Sequence, residues 1–365
     1  MRDRLQEGPS RGGFGEELAR AFVSTSECYK FLFFKAILRH LQRGGGEEIP
    51  YGTLLADMVA LVWWPAKRYR LRIGSAAGKS RLSGLLDLLP DDTDERLTDA
   101  DVAALLADAT RLQRARGALR HVPQRFLRPW LPELSGAPDG RVDRMTVELT
   151  RSLAPTGRLP YVIEDTGIRI NPAWARYLAD NMAIVSGWAD QAWVGWLQAR
   201  NDGVPHVEAK IGPPAGRTSL AEQRKFFLAG IRASGGGRCI YTGRPLSEDD
   251  LSLDHFLPWS FVAHDRIWNL TPVSRGVNSA KGARLPRAEL LDRLAAVHHR
   301  MLVALEPEGD RWDRWRAQYA DLHLATAELR DMDALRSAYR RTVEPSLAMA
   351  RRMGFPDGWP PAMAA

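Results

Sequence analysis

Apolar positions recur at helical spacing over most of the chain and switch to short alternating runs in only two places. From Gly15 to about Gln42, EELARAFVSTSECYKFLFFKAILRHLQ predicts one or two helices, ended by Gly44-Gly45-Gly46. Tyr51 to Trp64 predicts another, stopped by Pro65. Its aromatics and those before it (Tyr29, Phe31, Phe33, Phe34, Trp63, Trp64) are expected in a core. Asp91 to Arg120 predicts a third helix, opened by acidic and closed by basic residues as the helix dipole favours. YVIEDTGIRI, residues 161–170, alternates around Asp165-Thr166-Gly167 and predicts a β-hairpin. A helix is then expected from Pro172 to about Arg200, burying Trp174, Tyr177, Met182, Val185, Trp188, Trp193 and Trp196.

The Gly- and Pro-rich stretch from Asn201 to Ser219 is the best boundary in the chain. Beyond it come a short helix, Leu220 to Ile231, and then the second alternating region. Leu251 to Phe256 and Trp268 to Pro272 predict strands, with an aromatic loop from Phe256 to Phe261 between them. Ser274 to Arg284 opens a helix. After Pro286 the pattern is helical to about Met353, anchored by Trp312 and Trp315. The expected fold is α+β and mostly α-helical. A helical N-terminal domain spans residues 1–205, a small mixed unit 206–300 and a helical C-terminal region 301–365.

Composition narrows the function without naming it. A chain of 365 residues with ordinary apolar and charged fractions is globular, and a formal charge of +7 favours an anionic partner, nucleic acid before membrane. Cys28 and Cys239 are too few and too distant for a disulfide framework or a cysteine zinc cage. The first twenty residues carry no signal-peptide core, and the apolar run LLADMVALVWWPA holds Asp57 and is too short for a bilayer. A cytoplasmic protein with no membrane insertion is expected. GSAAGKS, residues 74–80, has three residues between its glycines where a phosphate-binding loop needs four, so nucleotide binding is not expected. Arg111, Arg114, Arg116, Arg120, Arg125 and Arg128 form a run without acidic residues among them, read either as a solvated face or as a phosphate-contacting strip.

The chemistry concentrates in LDHFLPWSFVAHDRIWNLTPVSRGVNSAKGARLP, residues 253–286. Asp254-His255 ends one strand, Asn269 opens the next, and Asn278 and Lys281 lie one turn apart on the helix. Each has a plain structural reading. Asp254-His255 would be a strand-end polar pair, Asn269 a turn cap and Asn278 an exposed helix residue, with His264-Asp265 at a solvated helix terminus.

Taken jointly, however, DH, then WNL, then an Asn and a Lys about ten residues later, preceded by CIYTG, resemble the HNH endonuclease family in its H-N-N variant. The resemblance covers about 50 to 60 residues and implies a ββα-metal unit. It implies His255 as general base and Asn269 as a second catalytic-site residue, orienting the loop through a backbone bond. Asp254 and Asn278 would hold Mg²⁺ (or Mn²⁺), and Lys281, Arg275, Arg284 and Arg287 would contact nucleic acid, joined by Arg114 and Arg120 where the arginine run is read as a phosphate-contacting strip. Because Cys239 lacks a CxxC partner, packing on Trp259, Phe261 and Trp268 is expected in place of a structural zinc. The implied activity is metal-dependent hydrolysis of DNA, nicking as a monomer. The setting would be bacterial antiphage defence or restriction, with protein partners as in multi-component systems such as Zorya. A non-catalytic nucleic-acid-binding protein and an RNA-directed nuclease are the alternatives.

Overall fold

The computed structural model describes residues 14–23, 25, 27–74, 117, 119–213, 219–305 and 309–360. Most of these are helical, with two small antiparallel sheets, in the α+β class expected. The predicted helix from Asp91 and the GSAAGKS stretch lie outside the described residues, apart from the ends of each. The chain forms two compact units. One comprises Met1–Asp202 with Lys210–Pro213, the other Gly203–Ala209 with Pro214–Ala365.

In the first unit, α1 (Phe14–Val23), α2 (Tyr29–Gln42) and α3 (Tyr51–Trp63) precede α4 (Val122–Phe126) and α5 (Asp139–Leu153). Pro65 does not end α3 outright. The chain continues through a wider π turn, Trp64–Arg68, which absorbs the missing proline donor. The segment predicted as one helix from Pro172 to Arg200 is two, α6 (Pro172–Asp180) and α7 (Met182–Gln198), broken at Asn181. Most of the expected aromatic residues are buried, with Tyr29, Tyr177 and Trp188 half-buried: Phe34 stacks on Phe126 at 5.5 Å and Trp193 on Trp196 at 5.8 Å.

The predicted hairpin is present as β2 (Tyr161–Ile163) and β3 (Gly167–Ile170), but it carries a third strand that the pattern concealed. That strand, β1 (Glu48–Pro50), pairs with β3 with Ile49 opposite Ile168. A side chain at Gly167 would come within 2.2 Å of the Ile49 carbonyl oxygen, so glycine is what lets β1 dock. Three residues ending in proline are too short a strand to register as alternation.

The second unit is built around a ββα core. Helix α8 (Ala221–Ala233) leads to β4 (Leu251–His255), a short α9 (Trp259–Val262), β5 (Leu270–Ser274) and α10 (Arg275–Lys281). The strands pair antiparallel, Leu253 opposite Pro272, Asp254 opposite Thr271 and His255 opposite Leu270. Pro272 is tolerated because a two-stranded sheet leaves each strand an edge without ladder partners. Ser274 caps α10, its hydroxyl accepting from the Val277 N–H at 3.3 Å, and Gly282 at φ 52° ends it.

Helices α11 (Leu291–Ala304), α12 (Gly309–Ala317) and α13 (Met332–Arg352) share one apolar core with this unit. Phe226, Phe256, Phe261 and Trp268 lie in the same cluster as Leu294, Trp315, Tyr319 and Tyr339. Phe261 and Trp268 are buried as expected, and Trp259 is half-buried.

The C-terminal helices also hold the backbone between the two strands. His298 on α11 is fully buried. Its Nε2–H donates to the Leu270 carbonyl at 2.9 Å, and Nδ1 accepts from the Tyr319 hydroxyl at 2.6 Å. Tyr339 on α13 donates to the Trp268 carbonyl at 2.9 Å, the Trp268 indole to Asp321 at 2.8 Å, and the Ile267 N–H to Gln318 at 3.2 Å. Burial lowers the His298 pKa from 6.5 to about 4. The folded chain therefore holds this imidazole neutral while the unfolded chain protonates it first. That contribution to stability is present above about pH 6.5, and roughly 3 kcal/mol of it is lost as pH falls towards 4. Urea unfolding across this range is expected to show a midpoint that drops with acidification. In His298→Phe the midpoint starts lower at neutral pH and the drop is shallower.

Candidate active site

Strand alternation sends Asp254 and His255 to opposite sides of β4. The Asp254 side points inward and is 2% exposed. Its Oδ2 accepts from the Tyr241 hydroxyl at 2.6 Å and its Oδ1 from the Lys281 ammonium at 3.1 Å. Lys281 is itself 1% exposed and donates a second bond, 2.6 Å long, to the main-chain carbonyl of His255. Lys281 is thus sealed into the sheet–helix junction, away from any phosphate. Burial pushes the Asp254 carboxyl above its ordinary range against the opposing pull of Lys281 and Tyr241, and pulls the Lys281 amine below its own. Burial likewise holds the Tyr241 phenol well above its usual value, with the Asp254 charge adding to it.

Asn269 is fully buried, and its amide forms a closed pair with one residue. Oδ1 accepts from the Leu257 N–H and Nδ2 donates to the Leu257 carbonyl, both at 2.9 Å. Its own carbonyl accepts from Phe256 at 2.7 Å. The Asn269 amide and carbonyl therefore tie down the loop immediately after His255. The contacts run to Phe256 and Leu257, and a side chain with no exposed surface does not meet substrate.

Asn278 lies on α10 facing β4, its Nδ2 donating to the Ser252 hydroxyl at 2.8 Å and the Leu253 carbonyl at 3.1 Å. A carbonyl can only accept, so the nitrogen must face it and Oδ1 points elsewhere.

Asp254 and Asn278 do not fit a divalent ion in this arrangement. Both carboxylate oxygens are committed, and the cation beside them is the Lys281 ammonium. Among the described residues no group of three or more His, Cys, Asp or Glu side chains is placed to hold a metal.

His255 is different. It sits at the open end of β4 with a side chain 16% exposed, and its Nε2 lies 2.8 Å from Asp265 Oδ1. The sequence pattern pointed to a solvated helix terminus at His264-Asp265. These residues do follow the end of α9, past Ala263 at a left-handed φ of 55°, but they are half-buried rather than solvated. His264 turns against Trp268 (5.3 Å) and His206 (5.9 Å), and burial lowers its pKa to about 4. The Asp265 contact was missed because ten residues separate the partners and no periodicity links them.

The basic candidates are scattered. Arg275 is exposed and pairs with Asp250 at 3.2 Å. Arg284 is exposed and donates to the Ala280 carbonyl at 3.1 Å, its guanidinium 5.7 Å from the Trp359 ring. Arg287 is exposed on the same segment. Arg120 is exposed just before α4 in the first unit, and Arg114 lies outside the described residues.

The buried Asp254–Lys281 pair makes two expectations. Lys281→Met leaves an uncompensated carboxylate and costs about 3–5 kcal/mol in urea unfolding. Adding Asp254→Asn to it is expected to recover part of that loss, so the double-mutant cycle is strongly non-additive. Second, the protein free of nucleic acid takes up no Mn²⁺ that Asp254→Asn abolishes, as measured by electron paramagnetic resonance of the unbound ion.

Residues 239–287 match a family model described as HNH endonuclease. No curated protein and no solved structure matches the chain. No helix among the described residues is long and apolar enough to cross a membrane.

Proposed function

We propose that residues 239–287, which match a family model described as HNH endonuclease, form a nuclease domain with which the chain hydrolyses DNA phosphodiester bonds, His255 serving as general base. A nuclease domain takes a nucleic acid as substrate. What supports the assignment to His255 is the division of labour across β4. The Asp254 carboxylate is closed into the core, whereas the adjacent imidazole is only partly shielded, beside a loop locked by Asn269.

In this reading His255 takes the proton of a water as the water oxygen attacks phosphorus. The bond from phosphorus to the leaving sugar oxygen then breaks. Asn269 acts by position alone. Arg275, Arg284 and Arg287, exposed on and after α10, are the groups for phosphate contacts. One such site cuts one strand, so a monomer nicks. The helical first unit is the part of the chain available for choosing a target, as expected of a restriction or antiphage nuclease.

Supercoiled plasmid incubated with the protein and Mg²⁺ is expected to give open circles. His255→Ala should slow this by about 10²–10⁴. Cleavage undiminished in His255→Ala overturns the assignment. HNH nucleases generally use divalent ions, and an EDTA lane reads that dependence here. A matched single-stranded RNA substrate separates the RNA-directed alternative, and no cutting of either leaves a binding protein. Plaque counts on bacteria expressing the wild type or His255→Ala test the antiphage setting.

A further inference from the structure

Asp265 belongs to no part of the HNH pattern read from the sequence, yet it is the side chain that holds the candidate base. Its Oδ1 lies 2.8 Å from His255 Nε2, and both side chains are largely shielded, at 18% and 16% exposure. An ionised carboxylate can only accept a hydrogen bond, so Nε2 carries the proton, and in the neutral ring Nδ1 then carries the lone pair. Among the described residues Nδ1 has no protein partner.

Asp265 is not there by chance of a loose loop. Its main-chain carbonyl accepts from Gln223 Nε2 on α8 at 3.0 Å. The left-handed turn at Ala263 sends the two neighbouring side chains to different places. His264 packs on Trp268, its Nδ1 accepting from the Arg266 N–H at 3.2 Å, and Asp265 reaches His255. The adjacent histidine is therefore occupied and cannot substitute as the base.

We propose that Asp265 is the positioning residue for His255, fixing the Nε2–H tautomer so that Nδ1 is the atom that takes the water proton. The role of Nδ1 rests on the nuclease reading above; the way the ring is held rests on geometry alone. In the reaction a water proton passes to Nδ1 and the water oxygen forms the new bond to phosphorus. The leaving sugar oxygen departs with the electron pair of the broken bond. Without Asp265 the ring samples both tautomers and rotates, and a wrongly protonated Nδ1 cannot accept.

The test uses the full chain labelled with ¹⁵N. Long-range ¹H–¹⁵N correlation spectra at about pH 8 read each histidine's tautomer, and His255→Gln identifies the His255 signals by their loss. The expected result is an Nε2–H pattern for His255 in the wild type and averaged nitrogens in Asp265→Ala. On plasmid, Asp265→Ala should lower kcat by about 10²–10⁴ with KM little changed, and Asp265→Glu, which restores a carboxylate, should regain part of it. Circular-dichroism melts of each variant separate misfolding from loss of the carboxylate.

An Nδ1–H pattern for wild-type His255 overturns the proposal. So does an Asp265→Ala variant with unchanged tautomer and kcat, or one that loses only KM. A wild type that cuts nothing but shows the Nε2–H pattern ends the nuclease reading, and with it the role of Nδ1, while the hold of Asp265 on the ring stands.

Discussion

Lys281 reaches back from the last turn of α10 to meet Asp254 on β4, and neither side chain is open to solvent. Removing two charges from water is costly, and the cost is offset only where every remaining polar atom finds a partner. Here the carboxylate takes Tyr241 and Lys281, and the ammonium takes Asp254 and the His255 carbonyl. The pair fixes the helix against the strand in one register, and through the His255 carbonyl it fixes the main chain of the histidine itself. Asn278, three residues earlier on α10, falls against the Leu253 carbonyl as a consequence. The same pair accounts for the Asp254 environment, which is that of a structural carboxylate in this conformation.

A second constraint acts on the other side of the loop. The Trp268 and Leu270 carbonyls flank Asn269, and both are held by side chains of the C-terminal helices. Asn269 can therefore spend both ends of its amide on Leu257 without its own backbone shifting. Each of these acceptors is buried, so each would carry a penalty of about 1–3 kcal/mol if left unpaired. The ββα unit is complete only with α11, α12 and α13 packed on it. The segment after Pro286 contributes further, as Trp359 bonds the Leu285 carbonyl and accepts from Arg287.

Most elements could be read from periodicity because they are long and amphipathic, as with α2, α13 and the Tyr161–Ile170 hairpin. The misses share a cause. β1 is too short to alternate, Asn181 breaks a helix whose apolar pattern runs through it, and Pro65 diverts a helix rather than ending it. At the site, the order Asp254, His255, Asn269, Asn278 was legible because β-strand and helix spacing bring those positions to one junction. Which of them faces solvent was not legible, since it depends on the burial of Lys281. The basic stretch in which it lies suggested phosphate contacts for Lys281 as well, and a run of like charges says nothing about the direction of a side chain. Asp265 was hidden for a related reason: its partnership with His255 depends on one left-handed residue, Ala263, at a position where a non-glycine residue gives no warning.

The anchoring of the loop by later helices has a consequence for the order of events during synthesis. Tyr339 stands 71 residues beyond the Trp268 carbonyl it holds, and Asp321 lies 53 beyond the Trp268 indole. A ribosome that has just finished translating the His255 strand has released none of these anchors. The growing chain at that stage carries the histidine on an unclamped loop. The anchored loop forms only when the C-terminal helices emerge and dock, so the chain's topology delays that geometry until translation has moved well past it.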